Sequence, residues 1–127
     1  MLIYVAHNFS AARYVQDEIV PQILSSGNSV CSTWHRHPNP LTDEEGAILC
    51  CKEVRKCQVL LHFAEQFGPL PGRGKYVELG YAMAFKKEVI VVTGKDADLK
   101  CVFYRHPKVR LINDLESALL WCGSYER

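Results

Sequence analysis

The chain has 127 residues, the length of one domain, and 48% of them are hydrophobic, enough for an ordinary core without staples. Lys and Arg number 15 against 14 Asp and Glu, so the formal charge of +1 gives no bulk attraction to nucleic acid or to a membrane surface. No apolar run approaches the ~20 residues a membrane span requires. Six cysteines (Cys31, Cys50, Cys51, Cys57, Cys101, Cys122) form no CxxC pair, and most stand in apolar runs where a thiol packs as a small hydrophobe. With no secretory signal pattern before the first polar turn, free thiols in a cytoplasmic protein are expected.

Residues 2–6 (LIYVA) read as a first strand, followed by a turn at His7-Asn8-Phe9-Ser10 with Ser10 as helix N-cap. Ala12, Val15, Ile19, Ile23 and Leu24 give a helix over 11–25, which Pro21 should kink or split and Gly27-Asn28 should end. Residues 29–34 read as a second strand and 35–41, with two prolines, as a loop. Thr42-Asp43-Glu44-Glu45 is a capping-box pattern opening a helix over 43–55. QVLLHF at 58–63 is a strand of the fully buried kind. A glycine- and proline-rich loop at 68–74 leads into a helix over 75–85, with Val77, Tyr81, Ala84 and Phe85 expected on its inner side. Strands at 88–92 and 109–112 follow, with a helical turn within 99–104 and a last helix capped by Asp114 and ending near Cys122.

Strands alternating with amphipathic helices predict an α/β fold, one domain over 1–127, with a parallel sheet covered on both faces. Five strands and right-handed crossovers favour a flavodoxin-like (Rossmann-like) three-layer sandwich of strand order 2-1-3-4-5. Ligands in such sheets bind at the carboxyl ends of the strands, which points to the loops at 7–10, 35–41, 64–74 and 93–98.

The densest chemical signal is Gly72-Arg73-Gly74-Lys75-Tyr76-Val77-Glu78. Glycines at 72 and 74 allow close backbone approach to a ligand, and the helix start offers free N–H groups. Glu78, in the first turn or so, should be held ionised by the helix dipole, either as a nucleophile or simply as a complement to that dipole. Arg73 and Lys75 add positive charge suited to a phosphate, or else decorate a solvated loop. His35 and His37 lack a third ligand at metal-like spacing, so no metal site is expected.

GRGKYVELGYAMAFKKEVIVV resembles the G-x-x-x-E-[LF]-G-x-A-x-A-x-x-K-x-V-x-V block of the nucleoside 2-deoxyribosyltransferase superfamily, which includes base-swapping transferases and nucleotide N-hydrolases. IYVAHNFSAAR is similar to the family's opening, and SVCSTWHR to the second strand of one of its branches, so the resemblance spans nearly the whole chain. It implies an enzyme acting on the N-glycosidic bond of a (deoxy)nucleoside or nucleotide. Glu78 would be the nucleophile that forms a glycosyl-enzyme ester; the alternative is a nucleotide-sensing module of the same fold without turnover. Tyr4 would orient the nucleophile, or else be a core aromatic. The backbone amides of His7, Asn8 and Phe9 would face the substrate, together with Gly72, Arg73 and Gly74. Arg13 matches a family arginine, though a solvated one fits equally, and Trp34 would stack on the base or end a strand in the core. Where relatives carry Asp late in the second helix this chain has Cys50, and Cys57-Gln58 replaces Ala-Asp at the third strand. Glu65, after strand three, and Glu53 are therefore the candidates for the helper acid. The resemblance further implies a homo-oligomer, a small-molecule substrate, and no cofactor, nucleic acid or membrane partner.

Overall fold

The computed structural model describes residues 1–37, 41–66, 72–95 and 97–125; expectations placed on 38–40, 67–71 and 96 lie outside them. Five strands, β1 (Leu2–Ala6), β2 (Ser29–Val30), β3 (Val59–Phe63), β4 (Glu88–Val92) and β5 (Val109–Ile112), form one parallel sheet of order 2-1-3-4-5. Register runs Tyr4 opposite Leu60, Ala6 opposite His62, Leu60 opposite Val89 and Ile90 opposite Arg110.

Side chains alternate across the sheet, so each strand feeds two cores. On one face Ile3, Val5, Leu61, Ile90 and Val92 pack against Val15, Ile19 and Ile23 and against Ala118, Leu119 and Cys122. These belong to a continuous helical stretch, α1 (Ala12–Tyr14), a π-helical segment (Val15–Ile19) and α2 (Val20–Ser25), and to α5 (Leu115–Tyr125). On the other face Tyr4, Ala6, Leu60, Val89 and Val91 pack against Val54, Leu79, Ala82 and Tyr104, carried by α3 (Asp43–Lys56), α4 (Gly74–Ala84) and a 3-10 turn at Val102–Arg105. The three layers, sheet order and parallel pairing are those expected.

Local chemistry explains the boundaries. Thr42 and Glu45 make the capping box reciprocally: the Thr42 hydroxyl accepts from the Glu45 N–H at 3.1 Å, and the Glu45 carboxylate accepts from the Thr42 N–H at 3.2 Å. Asp114 accepts from the Ser117 N–H at 2.7 Å and so caps α5. Pro21, at the start of α2, has no N–H to give the preceding turn, and the helix accommodates it by widening to π geometry over Val15–Ile19.

Three expectations are corrected. Ser10 is not a helix cap; it lies inside a 3-10 turn (Phe9–Ala11), and α1 starts without a side-chain cap. The second strand stops at Val30 rather than Trp34, because the Ser32 hydroxyl accepts from the Val5 N–H at 3.1 Å and takes the place of a ladder carbonyl. The inner face of α4 is Lys75, Leu79 and Ala82, spaced i, i+4, i+7, whereas Val77 is 67% and Phe85 44% exposed.

Candidate active site

β1 carries Tyr4 on the α3–α4 face of the sheet, with no exposure at all. Its hydroxyl donates to Oε2 of Glu78, which projects inward from α4. Strand and helix thus place Tyr4 and Glu78 in direct contact. Glu78 is the fifth residue of α4, and that helix has no acidic residue in its first turn. The expectation of a dipole-stabilised carboxylate is therefore corrected: burial pushes the Glu78 carboxyl up from 4.5 to about 8.

The loop after β1 comes close to Gly72. A Cβ on Gly72 would stand 2.7 Å from Cγ of Asn8, so glycine there permits the approach of the Asn8 carboxamide. Gly74 has open space around its Cα, and its role is not steric. Asn8 is buried; its N–H donates to Nδ1 of His7 at 2.7 Å and its carbonyl accepts from Ala11. The His7 ring turns to the opposite face and stacks on Phe63 with centroids 5.1 Å apart. Burial, with Lys75 nearby, lowers its pKa to about 4, so His7 is neutral. Phe9 is exposed, 6.2 Å from the Trp34 ring. Arg13 lies at the surface, 3.5 Å from Asp17, and Arg73 is exposed.

Trp34 sits in a 3-10 turn (Trp34–Arg36) tied down on three sides. Its Nε1–H donates to the Val5 carbonyl at 2.8 Å. His35 bridges the Ser32 hydroxyl (3.1 Å) and the Gln16 carboxamide (2.7 Å). Glu53, buried on α3, accepts from both the N–H (3.0 Å) and the hydroxyl (2.8 Å) of Thr33. Trp34 therefore forms a fixed, partly exposed rim beside the end of β1.

Neither candidate helper acid is directed at Glu78. Both oxygens of Glu53 are engaged by Thr33. The Glu65 carboxylate lies against Gly94, where a Cβ would overlap it. Glu65 there lines a cleft of about 870 Å³ on the α5 side of the sheet, with His7, Tyr14, Phe63, Lys95 and Asp114. Lys75 is not free for a phosphate: it is 2% exposed and its ammonium donates to the carbonyls of Phe63 (2.9 Å), Glu65 (3.2 Å) and Ala64 (3.5 Å).

Sequence reasoning passed over His62. It is fully buried within an apolar strand, bridging the Lys75 carbonyl (3.2 Å) and the Tyr104 hydroxyl (2.6 Å). The polar residue inside QVLLHF was the available signal. Among the described residues no group of three His, Cys, Asp or Glu is placed to hold a metal ion, and no helix is long and apolar enough to cross a membrane.

No protein-family model matches the chain, and a search of curated proteins found no similar sequence. Solved structures do match. A CMP N-glycosidase from Clostridium botulinum, BcmB, superposes with a TM-score of 0.66 at 19% identity, covering 98% of this chain and 100% of that one. BlsM, solved in solution, gives 0.68 at 21% identity, covering 93% and 84%. A 2-deoxyribosyltransferase from the psychrotolerant bacterium Bacillus psychrosaccharolyticus gives 0.66 at 16% identity, covering 94% and 90%. All three have the nucleoside 2-deoxyribosyltransferase-like fold, and this chain shares it.

Proposed function

We propose that the protein cleaves or transfers the N-glycosidic bond of a (deoxy)nucleoside or nucleotide, with Glu78 as nucleophile. The observation that carries this reading is the inward Glu78 carboxyl held by the Tyr4 hydroxyl. Ionised Glu78 attacks the anomeric carbon as the glycosidic bond breaks. The bonding pair leaves with the base, which takes up a proton, and an ester joins the sugar to Glu78. Water or a second base then displaces Glu78, with net retention. Tyr4 donates to the carboxylate and so favours its charged form, opposing the burial that favours the acid. Trp34 offers an aromatic face at the rim for the base, and Asn8 with Gly72 shapes the floor beside it. A homo-oligomer belongs to the same reading, supported by the exposed Ile48 on α3, Val77 on α4 and Phe85 just past α4.

A second reading, a nucleotide-binding module without turnover, is favoured by one observation: Glu53 is engaged by Thr33, and the Glu65 carboxylate lies against Gly94 rather than toward Glu78. Chromatography of free base after incubation with deoxynucleosides, deoxynucleotides and CMP separates the two. Turnover predicts base release that rises with pH to a plateau above about 8, because the ionised carboxyl is the attacking form. It also predicts a loss of at least about 10³-fold in Glu78→Gln. Saturable nucleotide binding with no base released from any of these favours the module instead.

A further inference from the structure

Lys75 has no part in the chemistry just described, yet it is among the most completely enclosed charged side chains of the fold. It occupies the second position of α4, where a loop lysine would ordinarily reach into solvent. Instead its side chain turns back toward the sheet and places Nζ among the last carbonyl of β3 and those just beyond: Phe63 at 2.9 Å, Glu65 at 3.2 Å and Ala64 at 3.5 Å. An ammonium has three N–H donors, and three carbonyls take them. No donor is left for a phosphate or a sugar hydroxyl.

A second strap runs the other way across the same junction. The carbonyl of Lys75 can only accept, so Nδ1 of His62 carries the proton of their 3.2 Å contact. Nε2 of His62 then accepts from the Tyr104 hydroxyl at 2.6 Å. Burial, reinforced by the Lys75 charge, lowers the His62 pKa to about 3 and keeps the ring in this neutral form. The end of β3 and the first turn of α4 are thus joined by one side chain reaching from each to the other. Glu78 lies three residues beyond Lys75 on the same side of α4. A helix moves as a rigid body over one turn, and a displacement of about 1 Å at a reacting group costs on the order of 10²-fold in rate.

We propose that Lys75 is a positioning residue: its bonds to the end of β3 set where α4 begins and therefore where the Glu78 carboxyl stands against Tyr4. The inference rests on the reading of Glu78 as the reactive group, but its first readout needs no turnover. The Glu78 side-chain carboxyl is followed by ¹³C NMR across a pH titration in wild type, Lys75→Met and His62→Gln. Loosening either strap lets water reach the carboxyl, so Glu78 titrates at least about one pH unit lower in Lys75→Met, and lower by a smaller step in His62→Gln. Loss of global stability alone leaves the native-state titration where it was. A folded Lys75→Met whose Glu78 titrates as in wild type overturns the proposal; should that variant not fold, an unchanged titration in His62→Gln does the same. Where wild type releases base, Lys75→Met is expected to lose at least about 10-fold in kcat with KM nearly unchanged, since positioning acts on the reacting geometry. Absence of base release from wild type counts against the functional reading alone, whereas base release with an unmoved titration counts against Lys75 alone.

Discussion

At Glu78 two effects compete, and burial outweighs the helix dipole. The dipole acts over the first turn and is worth a few tenths of a kcal/mol to about 1 kcal/mol, while enclosure of a carboxyl shifts its pKa by several times that. The consequence is a stability that depends on pH. Below about 4.5 both folded and unfolded chains carry Glu78 protonated, and between 4.5 and about 8 only the unfolded chain ionises it. The folded state then binds the extra proton, so stability falls as pH rises through this window and levels off above it. Glu78→Gln removes the effect. Its advantage over wild type in urea denaturation should be near zero at pH 4, grow to about 1–3 kcal/mol at pH 8 after allowance for partial exposure, and stay flat beyond. An equal difference at every pH contradicts the raised pKa. The sequence singled out Glu78 and Tyr4 as candidates, through a family block and a strand pattern, and the fold sets them in contact. Lys75 was misread, since a lysine after glycine-arginine-glycine looks solvated, and only the fold reveals carbonyls for it to turn toward.

Among the elements, β1 and β4 have the bounds their apolar runs predict, because strands buried on both faces are marked by composition alone, and β5, a half-exposed edge strand, keeps its expected bounds as well. β2 and α4 were read less well, for different reasons. β2 ends where a serine side chain replaces a backbone partner, a substitution that hydrophobic pattern does not register. In α4 nearly every position is apolar or small, so several helical faces fit the sequence equally, and the buried one is chosen by Lys75, Leu79 and Ala82 meeting β3 and β4. The turn that carries Trp34 depends on α3 through Glu53. Glu53→Ala leaves the partly buried Thr33 N–H without its acceptor and is expected to cost about 1–2 kcal/mol. It should also alter the emission of Trp34, most clearly in a Trp121→Phe background. Unchanged stability and emission would show that the 3-10 turn stands without this tie.

At the scale of the molecule the sheet order brings the ends of β1 and β3 together, and with them the Asn8 loop and Gly72. The two sides of that edge then differ. The α3–α4 side holds Tyr4 and Glu78 in contact, whereas the α5 side opens the cleft that takes Glu65. Sequence order alone did not reveal this division, because Glu65 and Glu78 both flank the same loop. The outer face of α3 and α4 bears Ile48 and Val77, with Phe85 just past α4, and a groove of about 610 Å³ lined by Ala47, Ile48, Cys51, Lys52, Arg55 and Tyr81. Apolar exposure of this kind is expected to drive self-association. Sedimentation velocity should show a species larger than 14.4 kDa that Val77→Asp dissociates; a monomer at all concentrations contradicts the oligomer. The central claim, that Glu78 bonds to the sugar, is tested most directly by intact-mass and peptide mapping after incubation with a 2-fluoro-2-deoxyribonucleoside, whose fluorine slows release of the glycosyl-enzyme. The account predicts a gain of one fluorosugar mass on the peptide containing Glu78, absent in Glu78→Gln. Base release without any adduct, undiminished in Glu78→Gln, would contradict it.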